Sequence, residues 1–171
     1  YLTADDGEKL LVRAKEIYDG AIPSGNSVMA LNLLRLGKVT GDKKYLDSAK
    51  ALFSAFSGFL ENNPQASEVL LHALFFTLSS PAEIVICGER DDERTQALIK
   101  EINRRFLPSS VLLFREPKTP SEELLKIAPF LKHQEMANGM PTVFICRNQT
   151  CDRPENSVKA LAERLDKSVA P

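Results

Sequence analysis

Two groups of residues have types and spacings that could do chemistry. The first is Asp19-Gly20-Ala21-Ile22-Pro23-Ser24-Gly25-Asn26-Ser27, a tight polar loop feeding an apolar helical stretch. Pro23 fixes one backbone angle, and Gly20 and Gly25 permit unusual ones. Ser24 or Asn26 can cap the orphan amides of a helix start. Those amides, the helix dipole and the side chains of Ser24, Asn26 and Ser27 together suit an anion or a sugar hydroxyl. Asp19 beside them could act as a general base or bind hydroxyls. The same composition also fits a plain turn and cap.

The second group is the cysteines. Cys87 ends one apolar run, Cys146 ends another, and Cys151 follows in Cys146-Arg147-Asn148-Gln149-Thr150-Cys151. The four-residue spacer is wider than the redox Cys-x-x-Cys, and there is no second pair for a zinc site. Arg147 and Arg153 could lower a thiol pKa, and His133 is the nearest imidazole in sequence. A reversible Cys146–Cys151 disulfide is one reading, and inert buried thiols are the other. Remaining signals are structural. His72 lies mid-helix among leucines, as a satisfied core histidine would. Arg104-Arg105 ends a helix, where cations suit the dipole. Cys87-Gly88-Glu89-Arg90 has one glycine and is no dinucleotide fingerprint. Asn148-Gln149-Thr150 matches a glycosylation sequon, which has meaning only on secretion. No catalytic residue, metal site or cofactor is assigned.

The elements that would position these groups change character near Ser79-Ser80-Pro81. Four helical patterns precede it: about Gly7–Asp19, capped by Asp5 or Asp6, with Leu10, Ala14 and Ile17 on one stripe; Ser24–Leu36, stopped by Gly37; Asp42–Glu61; and a stretch from Pro64 to Leu78. The first and third are amphipathic. The second and fourth are apolar on nearly every side and need covering on most of them. That alternation fits the hairpins of an α/α toroid, which four helices cannot close, or a four-helix bundle packed on the second half. Three apolar runs follow, Glu83–Cys87, Val111–Phe114 and Thr142–Cys146, separated by helices at about Asp92–Phe106 and Ser121–Lys132 and closed by one at about Pro154–Leu165. Such runs predict a three-stranded parallel sheet covered on both faces, with all three cysteines near one edge.

Composition narrows the classes. The 171 residues carry 22 Lys plus Arg against 23 Asp plus Glu, a net charge of -1, with 43% hydrophobic residues. This is a globular balance, and it gives no electrostatic case for nucleic acid or a membrane surface as partner. Three cysteines do not make a disulfide scaffold. The chain opens on Tyr1 with no apolar leader, as a cut piece of a longer, cytoplasmic protein would.

Asp19–Ser27, then Leu33-Leu34-Arg35-Leu36 and Thr40-Gly41-Asp42, with Pro141–Cys146, Cys151 and Pro154, resemble the spermatogenesis-associated protein 20, or YyaL-like, family over essentially the whole chain. The resemblance implies a thioredoxin-fold domain, a six-hairpin glycosidase-like toroid and a short C-terminal α/β region. This chain would be the C-terminal portion. The fold expected is therefore helical hairpins of an incomplete toroid over 1–80, then a small βαβαβα unit over 81–171. Partners would be the remainder of its own longer chain and a small carbohydrate-like ligand bound with help from Asp19, Ser24, Asn26 and Ser27. The fragment alone would not be catalytic. A thiol role for Cys146 and Cys151, or a structural module without chemistry, are the alternatives.

Overall fold

The computed structural model describes residues 6–9, 11–12, 14–117, 122–148 and 150–168. They form a mixed α/β protein that divides into two compact units: residues up to Gly37 with Asp42–Leu78, and Lys38–Gly41 with residues from Ser79 on.

The first unit holds α1 (Gly25–Thr40, whose last turn counts with the second unit), α2 (Lys43–Asn62) and α3 (Glu68–Leu78). Asp42 caps α2, its carboxylate accepting the Lys44 amide at 2.9 Å. Pro64–Ala66 makes a tight helical turn before α3. Gly37 does not stop α1. A Cβ there would lie 2.6 Å from a Leu46 methyl, so its bareness lets α1 and α2 approach. The helix runs on to Thr40, and Gly41, at φ 74°, ends it in the left-handed region.

The helix expected over Gly7–Asp19 does not form in its described residues; Leu10 and Asp5 lie outside them. Among the described residues of this stretch, Leu11 and Val12 are exposed, and only Ile17 and Asp19 are buried. A short stretch with a single apolar stripe is a marginal helix on its own. The two all-apolar helices are covered less than their composition demands. Met29 and Leu36 of α1 are 52% and 42% exposed, and Phe75 and Leu78 of α3 are 45% and 74% exposed.

The second unit is a four-stranded sheet in the order β2-β1-β3-β4. Its strands are β1 (Ala82–Cys87), β2 (Ser110–Arg115), β3 (Thr142–Arg147) and β4 (Thr150–Cys151), joined by α4 (Glu93–Asn103) and α5 (Glu122–Ile127) and closed by α6 (Val158–Ser168). β1 and β2 are parallel, but β3 runs antiparallel to β1 and to β4. The three-stranded parallel sheet is thus corrected to a four-stranded mixed one. The reason is that β1 is buried along its whole length, and a strand covered on both faces records that burial, not the direction of its neighbour. Pro129 breaks the helix expected over Ser121–Lys132 into α5 and a tight turn, Pro129–His133; Ser121 itself lies outside the described residues.

One sheet face carries Ile84, Ile86, Val143 and Ile145 against Leu98 and Ile102 of α4 and Leu161 and Leu165 of α6. The other carries Val85 and Leu113 against Ala128 and Leu131. Asp92 caps α4, accepting the Arg94 amide at 2.8 Å, and hydrogen bonds from the Arg94 guanidinium and that amide hold its carboxyl down at about 2.

Candidate functional site

The 19–27 loop is fastened from within its own unit. One oxygen of Asp19 accepts the Ser24 amide at 2.9 Å. The other accepts the amides of Val69 and Leu70, at 2.9 and 3.3 Å, at the start of α3. Burial pushes the Asp19 carboxyl up, but the hydrogen bonds from Ser24, Ser27, Leu70 and Val69 outweigh it and hold the group below its ordinary value. Ser24 is the cap of α1: its hydroxyl accepts the Ser27 amide at 3.1 Å and donates to the Ser27 hydroxyl at 2.8 Å. Asn26 donates to the Glu16 carbonyl. The loop thus brings Asp19, Ser24 and Ser27 together as a buried cluster, with Asn26 tied outward to the preceding chain. These bonds are those of a turn and cap.

The second unit sets the cysteines differently from the parallel expectation. Because β3 is antiparallel, Cys146 sits opposite Glu83 and Cys87 sits opposite Thr142. The two positions are four residue steps apart along the strands, about 13 Å at the usual rise. Cys87 and Cys146 are therefore at opposite ends of the sheet, not on one edge. Cys87 is buried, and desolvation pushes its thiol up against the opposing pull of the Arg115 cation. A protonated, enclosed thiol is a poor nucleophile.

Cys146 and Cys151 face each other across the β3–β4 hairpin and are joined by a disulfide. Cys146 is fully buried, whereas Cys151 is partly exposed. Asn148, at φ 51°, takes the left-handed conformation that the tight hairpin between them requires. Gln134, which follows the Pro129–His133 turn, is the residue sequence reasoning missed. Its side-chain nitrogen lies 3.2 Å from the Cys151 sulfur and 3.8 Å from the Cys146 sulfur. Its main-chain carbonyl accepts from the buried Arg115 guanidinium and from the Cys87 thiol. Gln134 is 5% exposed, and its Oε1 has no partner among the described residues. It lines a cavity of about 540 Å³ together with Pro129, Phe130, His133, Phe144 and Cys151. Nothing in the sequence marks Gln134, because only the pairing of β3 with β4 brings it against the sulfurs.

Beside the hairpin, Lys38 forms a 3.2 Å ion pair with the buried Glu83 and donates to the Asn148 side chain at 2.9 Å. Among the described residues no group of His, Cys, Asp and Glu could hold a metal ion, and no helix is long and apolar enough to cross a membrane. His72, expected to be satisfied, has a buried Nε2 without a hydrogen-bond partner among the described residues.

No protein-family model matches the chain, and no solved structure matches it. Curated relatives do. It is 36% identical over 151 residues to human spermatogenesis-associated protein 20, covering 88% of this chain and 19% of that protein. The rat protein of the same name gives the same identity and coverage. An uncharacterized Caenorhabditis elegans protein is 27% identical over 168 residues, covering 98% of this chain and 22% of its own length. The chain therefore spans about a fifth of the length of the curated relatives it matches.

Proposed function

We propose that this chain, which is similar to spermatogenesis-associated protein 20, serves within a longer protein as a thiol–disulfide module attached to a helical docking unit. One observation carries this reading: the Cys146–Cys151 disulfide has one enclosed sulfur and one that reaches a cavity. Accessible disulfides are the labile and exchangeable ones, while enclosed ones are structural. The bridge closes only a short hairpin whose strands are already paired. It therefore removes little chain entropy, roughly 2 kcal/mol in the loop-closure account, and the fold has modest need of it.

The strand arrangement supports the same reading. A β-α-β unit followed by a hairpin and helix, in the order β2-β1-β3-β4 with only β3 reversed, has the layout of a thioredoxin-type sheet. Fold alone does not give function. After β1 the chain carries Cys87-Gly88-Glu89-Arg90, with one enclosed thiol and no dithiol. The exchangeable pair is on the hairpin instead.

The helical unit has a different task. Met29 and Leu36 on α1 and Phe75 and Leu78 on α3 are apolar and exposed. Isolated apolar residues need no explanation, but rows of them on helices apolar all round call for a cover. The occupant we propose is the remainder of the longer chain, in the manner of adjacent hairpins of an α/α toroid. The relatives are about five times longer than this segment, which makes such a cover available. A carbohydrate or anion bound through Asp19, Ser24, Asn26 and Ser27 is the weaker reading, since their polar atoms already satisfy one another and neighbouring backbone.

The test is differential alkylation of the full-length protein with mass spectrometry. Cys146 and Cys151 should be linked under oxidising conditions and both free after a mild dithiol. A pair that never links would remove the reading.

A further inference from the structure

We infer that the exchange is asymmetric: Cys151 is the sulfur a partner attacks, Cys146 is the leaving thiolate, and the attacking partner is an extended peptide bearing a cysteine beside apolar residues. This rests on the thiol–disulfide reading and adds direction and partner to it.

Access decides which sulfur is struck. Cys146 is fully buried, while Cys151 lines the cavity with Phe130, Phe144 and Pro129. The step balances as follows. A partner thiolate attacks the Cys151 sulfur and a mixed disulfide forms there. The Cys151–Cys146 bond breaks, and Cys146 departs with the electron pair. The departing thiolate then takes a proton from solvent. A second partner thiol resolves the mixed disulfide, so two partner thiols become a disulfide and both protein cysteines become thiols.

Gln134 is the hydrogen-bond donor to the separating sulfurs, with its Nε2 within 3.8 Å of both. Its backbone carbonyl is clamped by Arg115, which keeps its amide directed at the bridge. Its Oε1 is the second, independent sign of a ligand. This acceptor is buried, belongs to a residue that lines the cavity, and lacks a partner among the described residues, a condition that costs free energy until something fills it. A peptide N–H next to the attacking cysteine would fill it. The aromatic and proline lining favours apolar neighbours on that peptide over the charged arms of glutathione.

The experiment uses the full-length protein and two probes: a short peptide with cysteine between two phenylalanines, activated as its mixed disulfide, and glutathione activated the same way. Cys146→Ala, which leaves the accessible thiol, should capture the peptide, and Cys151→Ala should capture it about tenfold more slowly or not at all. The peptide should outpace glutathione on Cys146→Ala by about tenfold. Gln134→Leu should slow dithiol reduction of the wild-type bridge by about tenfold without lowering the unfolding midpoint. Equal capture by the two cysteine variants would overturn the direction of attack, and glutathione reacting as fast as the peptide would overturn the partner, both while leaving the bridge exchangeable. A wild-type bridge that never forms would instead remove the underlying reading. The capture comparison stands even if Gln134→Leu fails to fold.

Discussion

The carboxylate of Asp19 accepts the amide of Val69 at 2.9 Å, tying the loop before α1 to the first turn of α3 across 50 residues of chain. The same oxygen takes the Leu70 amide, and its neighbour takes Ser24. A residue that looks like a candidate base thereby acts as a fastener, filling backbone donors that α3 would otherwise leave orphaned.

Asp19→Asn should cost about 2 kcal/mol, since an amide keeps the shape but replaces a charged acceptor with a neutral one and a donor. The pH dependence has a definite sign. The folded carboxyl sits below its ordinary 3.8, so its stabilisation is full above that value and is lost as pH falls through the lower folded value. Urea unfolding of wild type and variant should converge at acid pH. A gap that widens there would contradict this account.

Gly37→Ala tests the approach of α1 to α2. Alanine is the better helix former by about 1 kcal/mol. Its Cβ, however, would stand 2.6 Å from a Leu46 methyl, which must move. We expect net destabilisation of about 1 kcal/mol. A stabilised variant would show that Leu46 has room to turn aside.

Lys38→Met removes the cation from the buried Glu83 beside the hairpin. The expected loss is about 2 kcal/mol, the cost of removing one charged partner from a buried carboxylate. Lys38→Met combined with Glu83→Leu should recover part of that loss in chemical unfolding. Additive losses in the double variant would mean that the pair is not coupled.

The exposed apolar rows predict a footprint. In hydroxyl-radical labelling of the full-length protein, Met29 and Phe75 should be as protected as Phe76, which is buried within this chain already. Labelling of Phe75 at the level of an open surface would argue that no other part of the chain covers α3.

The sequence made some of this legible and hid the rest for identifiable reasons. Helix positions and the three long strands followed from apolar periodicity and from breakers such as Pro64. Strand direction did not, because Val85 and Ile145 are buried whichever way β3 runs. The stretch from Gly7 read as a helix because Leu10, Ala14 and Ile17 share a stripe, yet a short stretch with one apolar stripe is a marginal helix on its own. Gly37 carried the composition of a stop but serves as a contact point, a difference that only the neighbouring helix decides. The cysteine pair was visible as a spacing. Gln134 was not, since a lone glutamine between His133 and Glu135 gains its role entirely from the Cys146–Cys151 pairing.

The most direct measurement is a redox titration of the full-length protein in glutathione buffers, with the Cys146–Cys151 bridge counted by mass spectrometry after quenching. The account predicts a reversible transition from disulfide to two thiols at a potential between about −180 and −300 mV, the range in which exchangeable pairs operate. A bridge that stays closed below about −300 mV, as structural disulfides do, or that never closes, would contradict it.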